Sequence, residues 1–227
     1  MPESKMQNPQ SKISRVAGLV LAGGKSSRMG LAKATLPFGP ELMLQRVVRL
    51  LGSVVRPIIV VAAPGQALPP LADDVLIARD EREARGPLEG LLAGLSGVVG
   101  HAEAAYATSC DVPLLAPAFV QAMIERLDDA DVAVPVEDGF AHPLAAVYRT
   151  KVLPHIKELL AADQLRPAFL FDRVNTVRVP VAELRSADPQ LATLRNLNRP
   201  EDYLAALREA GFEPEESIRP VFETPRT

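Results

Sequence analysis

Short runs of apolar residues alternate along this chain with segments in which apolar residues recur every three or four positions. Nearly continuous apolar runs are typical of strands that are buried on both faces of a sheet, and the longer spacing is typical of helices with one buried face. The runs that predict strands are residues 16–22, 58–63, 75–78, 104–109, 132–136 and 143–148.

Helical spacing follows most of these predicted strands. Because each helix comes soon enough after a strand to serve as a crossover, the pattern predicts an α/β fold, namely a three-layer, doubly wound, mostly parallel sheet of Rossmann type. Ligands of such sheets bind outside the carboxyl ends of the strands, so functional residues are expected in the loops there. The apolar positions that define the helices are Met43, Leu44, Val47, Val48, Leu51 and Val54; Leu88, Leu91, Leu92 and Leu95; Phe119, Met123, Ile124 and Leu127; and Leu153, Ile156, Leu159 and Leu160.

The length and composition of the chain fit one globular domain. It has 227 residues, of which 48% are hydrophobic, and a formal net charge of −3. We expect a single domain over residues 15–210, and we expect residues 1–14 and the Pro- and Glu-rich residues 211–227 to form extended or mobile tails. The single cysteine, Cys110, excludes an intramolecular disulfide and a zinc cluster built on cysteines.

The composition of the chain also indicates where the protein is located and which classes of partner it has. No apolar run reaches the roughly 18 residues that a membrane span requires, and the polar N-terminal residues include Glu3, unlike a signal or transit peptide. A cytoplasmic protein without a membrane partner is therefore expected. Nucleic-acid binders usually carry a basic face, whereas this chain is close to neutral, so the expected substrates are small molecules and not nucleic acid.

The loop after the first predicted strand reads LAGGKSSRMGLAK and has the features of a phosphate-binding site. Gly23 and Gly24 leave no side chain between the backbone and a ligand, so amide N–H groups can approach an anion. Lys25, Arg28 and Lys33 add positive charge, and an arginine can hold a phosphate through its planar fork. The loop has neither the Walker spacing nor the GxGxxG pattern, so those two mechanisms do not apply.

Asp111 closes the predicted strand 104–109 and is followed by a turn that contains proline. Its carboxylate is therefore expected at the same sheet edge as the loop that ends at Lys33. Mg²⁺ prefers hard oxygen ligands and commonly takes one or two carboxylates together with substrate phosphates, so Asp111 is the predicted metal ligand. The alternative roles are a helix cap for Asp111 and a solvated surface side chain for Lys33.

Further short segments follow the glycine-rich loop in a defined order. They are Asp80 after the third apolar run; Gly86, Pro87 and Leu88 of a GPLEG segment; Cys110, Asp111, Val112 and Pro113 of a CDVP segment; His142 and Pro143; and Asn196, Asn198, Pro200 and Glu201. In this order the segments resemble those of nucleotidyltransferases with a GT-A-like, Rossmann-type fold. The LAGG sequence in place of LAAG resembles the molybdenum cofactor guanylyltransferase branch, and the resemblance extends over about residues 16–207.

The resemblance implies transfer of GMP from Mg²⁺-bound GTP to the phosphate of molybdopterin, the molybdenum cofactor, with release of pyrophosphate. Negative charge then grows on the transferred and leaving groups, so Lys33, Arg28 and a Mg²⁺ ion on Asp111 are the implied catalytic groups. The acceptor phosphate is already ionised at neutral pH, so no general base is implied. Molybdoenzymes or other proteins of cofactor biosynthesis are the implied protein partners.

The resemblance also implies a guanine nucleotide beside Asp80. A carboxylate can accept two hydrogen bonds from the N1–H and N2–H₂ edge of guanine, an edge that cytosine and adenine do not present. Main-chain groups of Leu21, Ala22 and Gly23 are implied to hold the base and the ribose, with Gly24 in the same nucleotide loop. The alternative role for Asp80 is that of a turn residue.

Three residues in the second half of the chain are implied to lie on the side that receives the pterin substrate. They are His142, Asn196 and Asn198. The alternatives are a structural histidine and asparagines that cap a helix. Cys110 is expected to pack beside Asp111 and not to act as a nucleophile, because the sequence offers no paired base for it.

Three positions depart from the family pattern. Ala32 precedes Lys33 where an aspartate is usual, the second apolar strand ends at Ala62 and Ala63 where an asparagine is usual, and Glu89 replaces the alanine of GPLAG. An unmade hydrogen bond in a buried site costs roughly 1–3 kcal/mol, so these changes can alter nucleotide selection. Two alternatives therefore stay open. One is a related nucleotidyltransferase with another base or acceptor, such as CTP with molybdopterin or a sugar phosphate; the other is a catalytically weak nucleotide-binding partner protein.

Overall fold

Parallel strands joined by helices form the centre of the structure, a computed structural model that describes residues 15–23, 32–80 and 85–215. In chain order its strands and α-helices are β1 (Val16–Leu21), β2 (Pro37–Phe38), β3 (Glu41–Leu42), α1 (Met43–Gly52), β4 (Ile58–Ala62), β5 (Val75–Arg79), α2 (Pro87–Val98), β6 (Ala104–Ser109), α3 (Pro117–Leu127), β7 (Val132–Glu137), β8 (Phe140–Ala141), β9 (Ala146–Arg149), α4 (Leu153–Ala161), α5 (Ala168–Phe171), β10 (Thr176–Pro180) and α6 (Pro200–Glu209). Short 3₁₀ helices, among them Lys33–Thr35 and Ala192–Leu194, lie between these elements.

The main sheet of the described residues contains eight strands in the order β10, β7, β9, β6, β1, β4, β5, with the short β8 paired to β7. β9 runs antiparallel to both of its neighbours and β8 antiparallel to β7, whereas the remaining pairs are parallel. The predicted fold class, an α/β fold with a mostly parallel sheet, is confirmed.

Helices cover both faces of this sheet and produce the three layers. α1 and α3 bury their apolar residues in one cluster with Val20 of β1, and α2 and α4 bury theirs in a second cluster with Leu19 of the same strand. Gly18 lies at the contact between β1 and α1, where an added Cβ would come within 2.6 Å of both Leu51 and Ile58. A side chain at this position of β1 would therefore force the packed side chains of Leu51 and Ile58 to move.

A smaller apolar cluster joins the β2–β3 hairpin to α6. Phe38 packs edge-on against Tyr203 with ring centroids 6.3 Å apart, and Leu36 and Leu197 are buried in the same cluster. Leu36 directly follows the 3₁₀ helix Lys33–Thr35, and Leu197 lies just before α6. The cluster thus holds together two segments that are far apart in sequence.

The predicted and observed elements differ most at residues 143–148. These residues do not form one strand, because Pro143–Ala145 is a 3₁₀ helix and β9 begins at Ala146. Pro143 has no N–H to donate to a sheet ladder, and Leu144 has φ −104° and ψ 33°, which is not a strand conformation. The hydrophobic pattern also does not predict the strands β2, β3, β8 and β10.

The predicted tails lie mostly outside the described residues, since residues 1–14 and 216–227 are not among them. At the start of the predicted C-terminal tail, Phe212 packs edge-on against Phe38 with ring centroids 6.0 Å apart, and the guanidinium of Arg46 lies over both rings. The extent of the domain, residues 15–210, stays a prediction. Among the helices described, none combines the length and the apolar character that crossing a bilayer requires.

Candidate functional site

The carboxyl ends of β1, β5 and β6 lie at one edge of the sheet because β1 runs parallel to β6 and, through β4, to β5. Gly23 follows β1, Asp80 follows β5, and Asp111 comes soon after the end of β6. The structure therefore places three of the segments singled out in the sequence at the same edge, where ligands of α/β sheets bind.

Lys33 and Asp111 form an ion pair that is largely shielded from solvent. Lys33 Nζ lies 2.7 Å from Asp111 Oδ2, and the two side chains are 16% and 12% exposed. Lys33 Nζ also donates a hydrogen bond of 2.9 Å to Asn198 Oδ1, across 165 positions of the sequence. The fold thus brings together a lysine, a carboxylate and an amide that the sequence identifies only as separate candidates.

The second carboxylate oxygen of Asp111 is held as well. Asn196 Nδ2 donates to Asp111 Oδ1 at 3.0 Å, and Ser109 Oγ donates to the same oxygen. Donors on both oxygens fix the orientation of the carboxylate. Ser109 is absent from the sequence-based candidates, and its place at the end of a buried strand beside Asp111 is the signal that could have identified it.

The asparagine segment reaches the ion pair because successive side chains point in opposite directions. Asn196 and Asn198 contact Asp111 and Lys33, whereas Leu197 between them is buried in the small apolar cluster. Such alternation is the property of an extended chain. The N–H of Leu197 donates to the carbonyl of Asp111 at 2.9 Å, so the segment is bound to the aspartate through backbone as well as side chains.

Capping of α6, the alternative role for the two asparagines, is carried out by other residues. The residue at the N-cap is Arg199, and the Asp202 carboxylate accepts a hydrogen bond of 3.0 Å from its N–H. Neither Asn196 nor Asn198 supplies a side-chain cap in this arrangement. Their side chains are used at the ion pair instead.

Asp80 forms a second polar position at this edge of the sheet. Its Oδ1 is buried and has no hydrogen-bond partner among the described residues. A Cβ added at Gly23 or at Gly90 would lie 3.7 Å from an oxygen of Asp80, so both glycines lie next to the carboxylate. Burial, and then the negative charge of Glu89, raise the pKa of Asp80 above its usual value. A buried acceptor of this kind fits a ligand with N–H donors.

Glu89, the residue in place of the alanine of GPLAG, is buried in the first turn of α2. Its Oε2 lies 3.7 Å from Arg85 Nε, and Arg85 Nη2 donates to the carbonyl of Leu160 at 2.8 Å. A carboxylate in the first turn of a helix is stabilised by the helix dipole. This departure from the family pattern therefore places a second negative charge near Asp80.

Main-chain groups at the end of β1 make hydrogen bonds within the fold. The Leu21 carbonyl accepts from the N–H of Cys110 at 3.0 Å, and the Ala22 N–H donates to the carbonyl of Val61 at 2.8 Å. Gln66, which the sequence does not single out, donates from Nε2 to the Ala22 carbonyl at 2.9 Å. These bonds fix the direction in which the chain leaves β1. Nucleotide binding by Leu21, Ala22 and Gly23 stays a prediction.

His142 follows β8 and is held mainly by its own backbone. Its N–H donates to the carbonyl of Pro135 at 2.9 Å, and its carbonyl accepts from Ala145 at 3.1 Å. Its Nε2 is buried without a hydrogen-bond partner among the described residues, and burial lowers the pKa of the imidazole below its usual value. Over the described ranges, no hydrogen bond or ion pair joins His142 to Lys33 or Asp111. A role in acceptor binding stays a prediction.

The remaining candidates are a buried thiol and part of the glycine-rich loop. Burial raises the pKa of Cys110 to about 12, so the thiol is protonated at neutral pH and packs as an apolar group. Gly24, Lys25 and Arg28 lie outside the described residues. Their predicted contacts with phosphate therefore stay predictions.

The oxygen donors around Lys33 fit a magnesium ion that is bound mainly through phosphates. Asp111 Oδ2 and Asn198 Oδ1 lie 2.7 and 2.9 Å from the Lys33 ammonium, so both oxygens converge on one position suited to a cation. Within residues 15–23, 32–80 and 85–215, no three His, Cys, Asp or Glu side chains form a group that could hold a metal. Mg²⁺ commonly takes only one or two carboxylates beside phosphate oxygens, so this small set is sufficient.

Comparison with known proteins gives matches over most of the chain. Residues 18–177 match the model of the family described as "MobA-like NTP transferase domain". A Mycobacterium ulcerans protein named "Probable molybdenum cofactor guanylyltransferase" is 36% identical over 208 residues, covering 89% of this chain and 98% of that protein. A protein of the same name from Mycobacterium tuberculosis is 38% identical over 175 residues, covering 75% and 86%.

Solved structures show the same fold at lower identity. Molybdopterin-guanine dinucleotide biosynthesis protein A from Archaeoglobus fulgidus has a TM-score of 0.71 and 19% identity, covering 86% of this chain and 99% of its own. A 2-C-methyl-D-erythritol 4-phosphate cytidylyltransferase from Thermus thermophilus has a TM-score of 0.60 and 16% identity, covering 87% and 99%. Such likeness shows the fold alone, and this fold carries different activities.

Proposed function

This chain belongs to the MobA-like NTP transferase family, and on that premise we propose that it transfers GMP from GTP to the phosphate of molybdopterin and releases pyrophosphate. Relatives that are 36% and 38% identical are named for guanylyl transfer to the molybdenum cofactor. The choice of GTP, Mg²⁺ and this acceptor is inferred from those names and from the site residues.

The observation that carries the proposal is the group formed by Lys33, Asp111 and Asn198 at the carboxyl edge of the sheet. The Lys33 ammonium lies 2.7 Å from the Asp111 carboxylate and 2.9 Å from the Asn198 amide oxygen. A cation and a hard oxygen ligand side by side are the groups that nucleotidyl transfer needs, because the chemistry depends on positioning and on charge stabilisation. A protein that only bound a nucleoside would have no use for this pairing.

Lys33 is assigned to the negative charge that grows during the transfer. Its ammonium sits on a flexible stem, so it can turn from Asp111 Oδ2 to a phosphate oxygen without movement of the backbone. Mg²⁺ held by the oxygens of Asp111 and Asn198 would neutralise phosphate charge at the same edge. The acceptor phosphate has a second pKa of about 6 and is its own nucleophile at neutral pH, so the site needs no general base.

Asn196 and Ser109 are assigned to the orientation of Asp111. Both donate to Asp111 Oδ1, which leaves the Oδ2 side for the ammonium or a metal ion. Hydrogen-bond partners of metal ligands commonly change affinity or activity by 10–100-fold when they are removed. The hydrogen bond from Asn196 to Asp111 therefore favours this role for Asn196 over direct contact with the acceptor.

Asp80 is assigned to the guanine base. Its buried oxygen, which has no partner among the described residues and lies near Gly23 and Gly90, suits the paired N–H donors of guanine. Discrimination by such a group is large, because a base without these donors leaves a buried carboxylate unpaired. This assignment favours GTP over CTP.

The proposal also covers the triphosphate, the pterin substrate, the location of the protein and its protein partners. Arg28 and Gly24 are proposed to hold the triphosphate together with Lys33, and His142 is proposed to lie on the pterin side. We also propose a cytoplasmic location, and molybdoenzymes or other proteins of cofactor biosynthesis as partners. Each of these assignments rests on the resemblance of this chain to its relatives.

A two-stage experiment tests the proposal. Thermal unfolding is first measured with GTP, CTP, UTP and ATP in the presence of Mg²⁺, where a ligand at about 100 times its Kd stabilises by roughly 2.7 kcal/mol. Pyrophosphate release is then measured with GTP and molybdopterin for the parent and for Asp111→Ala. We expect selective stabilisation by GTP, and release of pyrophosphate that the substitution lowers by at least 10²-fold.

The alternatives give different results in the same experiment. Stabilisation by CTP in preference to GTP would overturn the guanine assignment. Release of pyrophosphate with a sugar phosphate but not with molybdopterin would overturn the acceptor. Binding of GTP without pyrophosphate release from any acceptor would identify a nucleotide-binding partner protein.

A further inference from the structure

A buried carboxylate outside the predicted site organises the chain that leads to the asparagines. Asp188 is only 5% exposed, although it lies in the connection between β10 and α6. Its Oδ1 accepts from the Ala192 N–H at 3.0 Å, and its Oδ2 accepts from the N–H and the hydroxyl of Thr193 at 2.8 and 2.7 Å. Three donors on one carboxylate stabilise its charge, so burial at this position is compensated.

Thr193 continues this network to the other side of the site. Its hydroxyl donates to Asp188 and accepts a hydrogen bond of 2.9 Å from the N–H of Ala116. A hydroxyl can do both at once because it has one proton and two lone pairs. Ala116 is the N-cap of α3 and comes shortly after Asp111, at the end of the loop that follows β6.

Both arms of the network therefore end beside the candidate metal ligand. Thr193 leads directly into Asn196, and Ala116 terminates the loop that begins at Asp111. The Leu197 N–H, which donates to the Asp111 carbonyl at 2.9 Å, closes the connection between the two segments. One hydroxyl and one carboxylate thus join the two pieces of chain whose relative position sets the Asn196 contact with Asp111.

We propose that Asp188 and Thr193 are positioning residues that keep the asparagine segment in place against Asp111. This inference rests on the proposed function for its catalytic consequence, but not for its structural one. The described hydrogen bonds of both side chains go to Ala116, to Ala192 and to each other, so both act through Asn196 and the backbone of the neighbouring segments. The sequence around Asp188, SADPQ, has the composition of an exposed turn and gives no indication of this role.

The test compares two substitutions of Thr193 in the full chain. Thr193→Val keeps the shape and removes the hydroxyl, whereas Thr193→Ser keeps the hydroxyl. In the valine variant we expect faster hydrogen exchange at the Leu197 amide and a 10–100-fold rise in the Mg²⁺ concentration that gives half-maximal pyrophosphate release. KM for GTP is expected to change little because Asp80 is held by other elements. The serine variant should behave as the parent does.

Two further variants complete the design. Thr176→Val removes a partly buried hydroxyl in β10 that bonds only to Val174 among the described contacts, so it should leave both readouts unchanged. Asp188→Asn keeps the shape of the side chain but cannot accept at both positions, and we expect changes in the same direction as in Thr193→Val. This variant tests the proposal independently if the valine protein does not fold.

The outcomes separate this inference from the proposed function. If the parent releases no pyrophosphate from any acceptor, the proposed function fails, while exchange at Leu197 still tests the positioning role. If Thr193→Val and Asp188→Asn leave Leu197 exchange and Mg²⁺ dependence at the parent values, the positioning role is wrong. Loss of activity only in proportion to the unfolded fraction, with unchanged Mg²⁺ dependence, would also overturn it.

Discussion

Replacing Lys33 with glutamine is expected to affect metal binding and catalysis in opposite directions. The Lys33 ammonium lies 2.7 Å from Asp111 Oδ2 and 2.9 Å from Asn198 Oδ1, at the point where the two oxygens converge. A metal ion that takes the same oxygens must displace the ammonium first. Removing the ammonium therefore frees the oxygens, but it also removes the positive charge assigned to the phosphates.

The magnitude follows from the hydrogen bonds that are lost. A hydrogen bond to a charged group contributes about 1.5–3 kcal/mol net, and each 1.4 kcal/mol corresponds to a tenfold change in an equilibrium constant. In the absence of nucleotide, Lys33→Gln should therefore bind a divalent metal roughly 10–150-fold more tightly. Loss of one electrostatic contact in the transition state should lower kcat on the order of 10²–10³-fold.

The assay titrates Mn²⁺ into the nucleotide-free protein, with electron paramagnetic resonance to measure the free ion, and follows pyrophosphate release separately. Lys151→Gln is the matched control, since Lys151 is an exposed lysine that pairs with Asp131 and makes none of the described contacts at the site. Equal or weaker Mn²⁺ binding in Lys33→Gln would refute competition between the ammonium and the metal. Turnover equal to that of the control would refute the catalytic role.

Three further substitutions test other parts of the structure. Glu89→Gln should lower the pKa of Asp80, because it removes the negative charge that is the second cause, next to burial, of the raised pKa. Asp80 then stays ionised at lower pH, so GTP binding measured by calorimetry should persist to a lower pH. Gly18→Ala should lower the free energy of unfolding in urea by roughly 1–3 kcal/mol, because its Cβ would meet packed atoms at 2.6 Å, whereas Gly52→Ala, with its nearest contact at 3.7 Å, should not. Phe212→Ala should lower the same free energy by roughly 1–3 kcal/mol through loss of an edge-on ring contact and a cation–π contact.

Each of these expectations has a contrary result. An unchanged acid limit of GTP binding in Glu89→Gln would mean that burial alone sets the pKa of Asp80. Equal unfolding free energies for Gly18→Ala and Gly52→Ala would mean that Leu51 and Ile58 can move away from β1 without cost. Unchanged stability of Phe212→Ala would assign the start of the C-terminal segment to the tail, as composition predicts.

The centre of the sheet is predictable from sequence because its strands are covered on both faces. All five residues of β4 are buried, so the strand appears as a continuous apolar run. β10 lies at an edge of the sheet, and its exposed Val177 and Arg178 interrupt any such run. β8 contains only two residues and follows a tight turn at Asp138 and Gly139, both with positive φ, so it is too short to produce a hydrophobic pattern.

The candidate site is predictable where motifs identify chemical groups and not where the fold supplies partners. Four residues of the site can be selected from sequence, because they stand in short segments that resemble those of the family. They are Lys33, Asp111, Asn196 and Asn198. Their mutual contacts span 78 to 165 positions and depend on packing that no local pattern encodes. Asp188 shows the limit most clearly, since a buried carboxylate with three donors and a solvated turn aspartate look alike in a sequence.

The distance along the chain between Lys33 and Asn198 has a consequence for synthesis of the protein. The two residues are 165 positions apart, and ribosomes add about 5–20 residues per second, so roughly 8–30 s separate their appearance. During that interval the nascent polypeptide contains the lysine and, later, Asp111, but not the amides that contact them. Prematurely terminated products that end before Asn196 therefore lack both asparagines of the candidate site, and translation must pass most of the message before this site can be assembled.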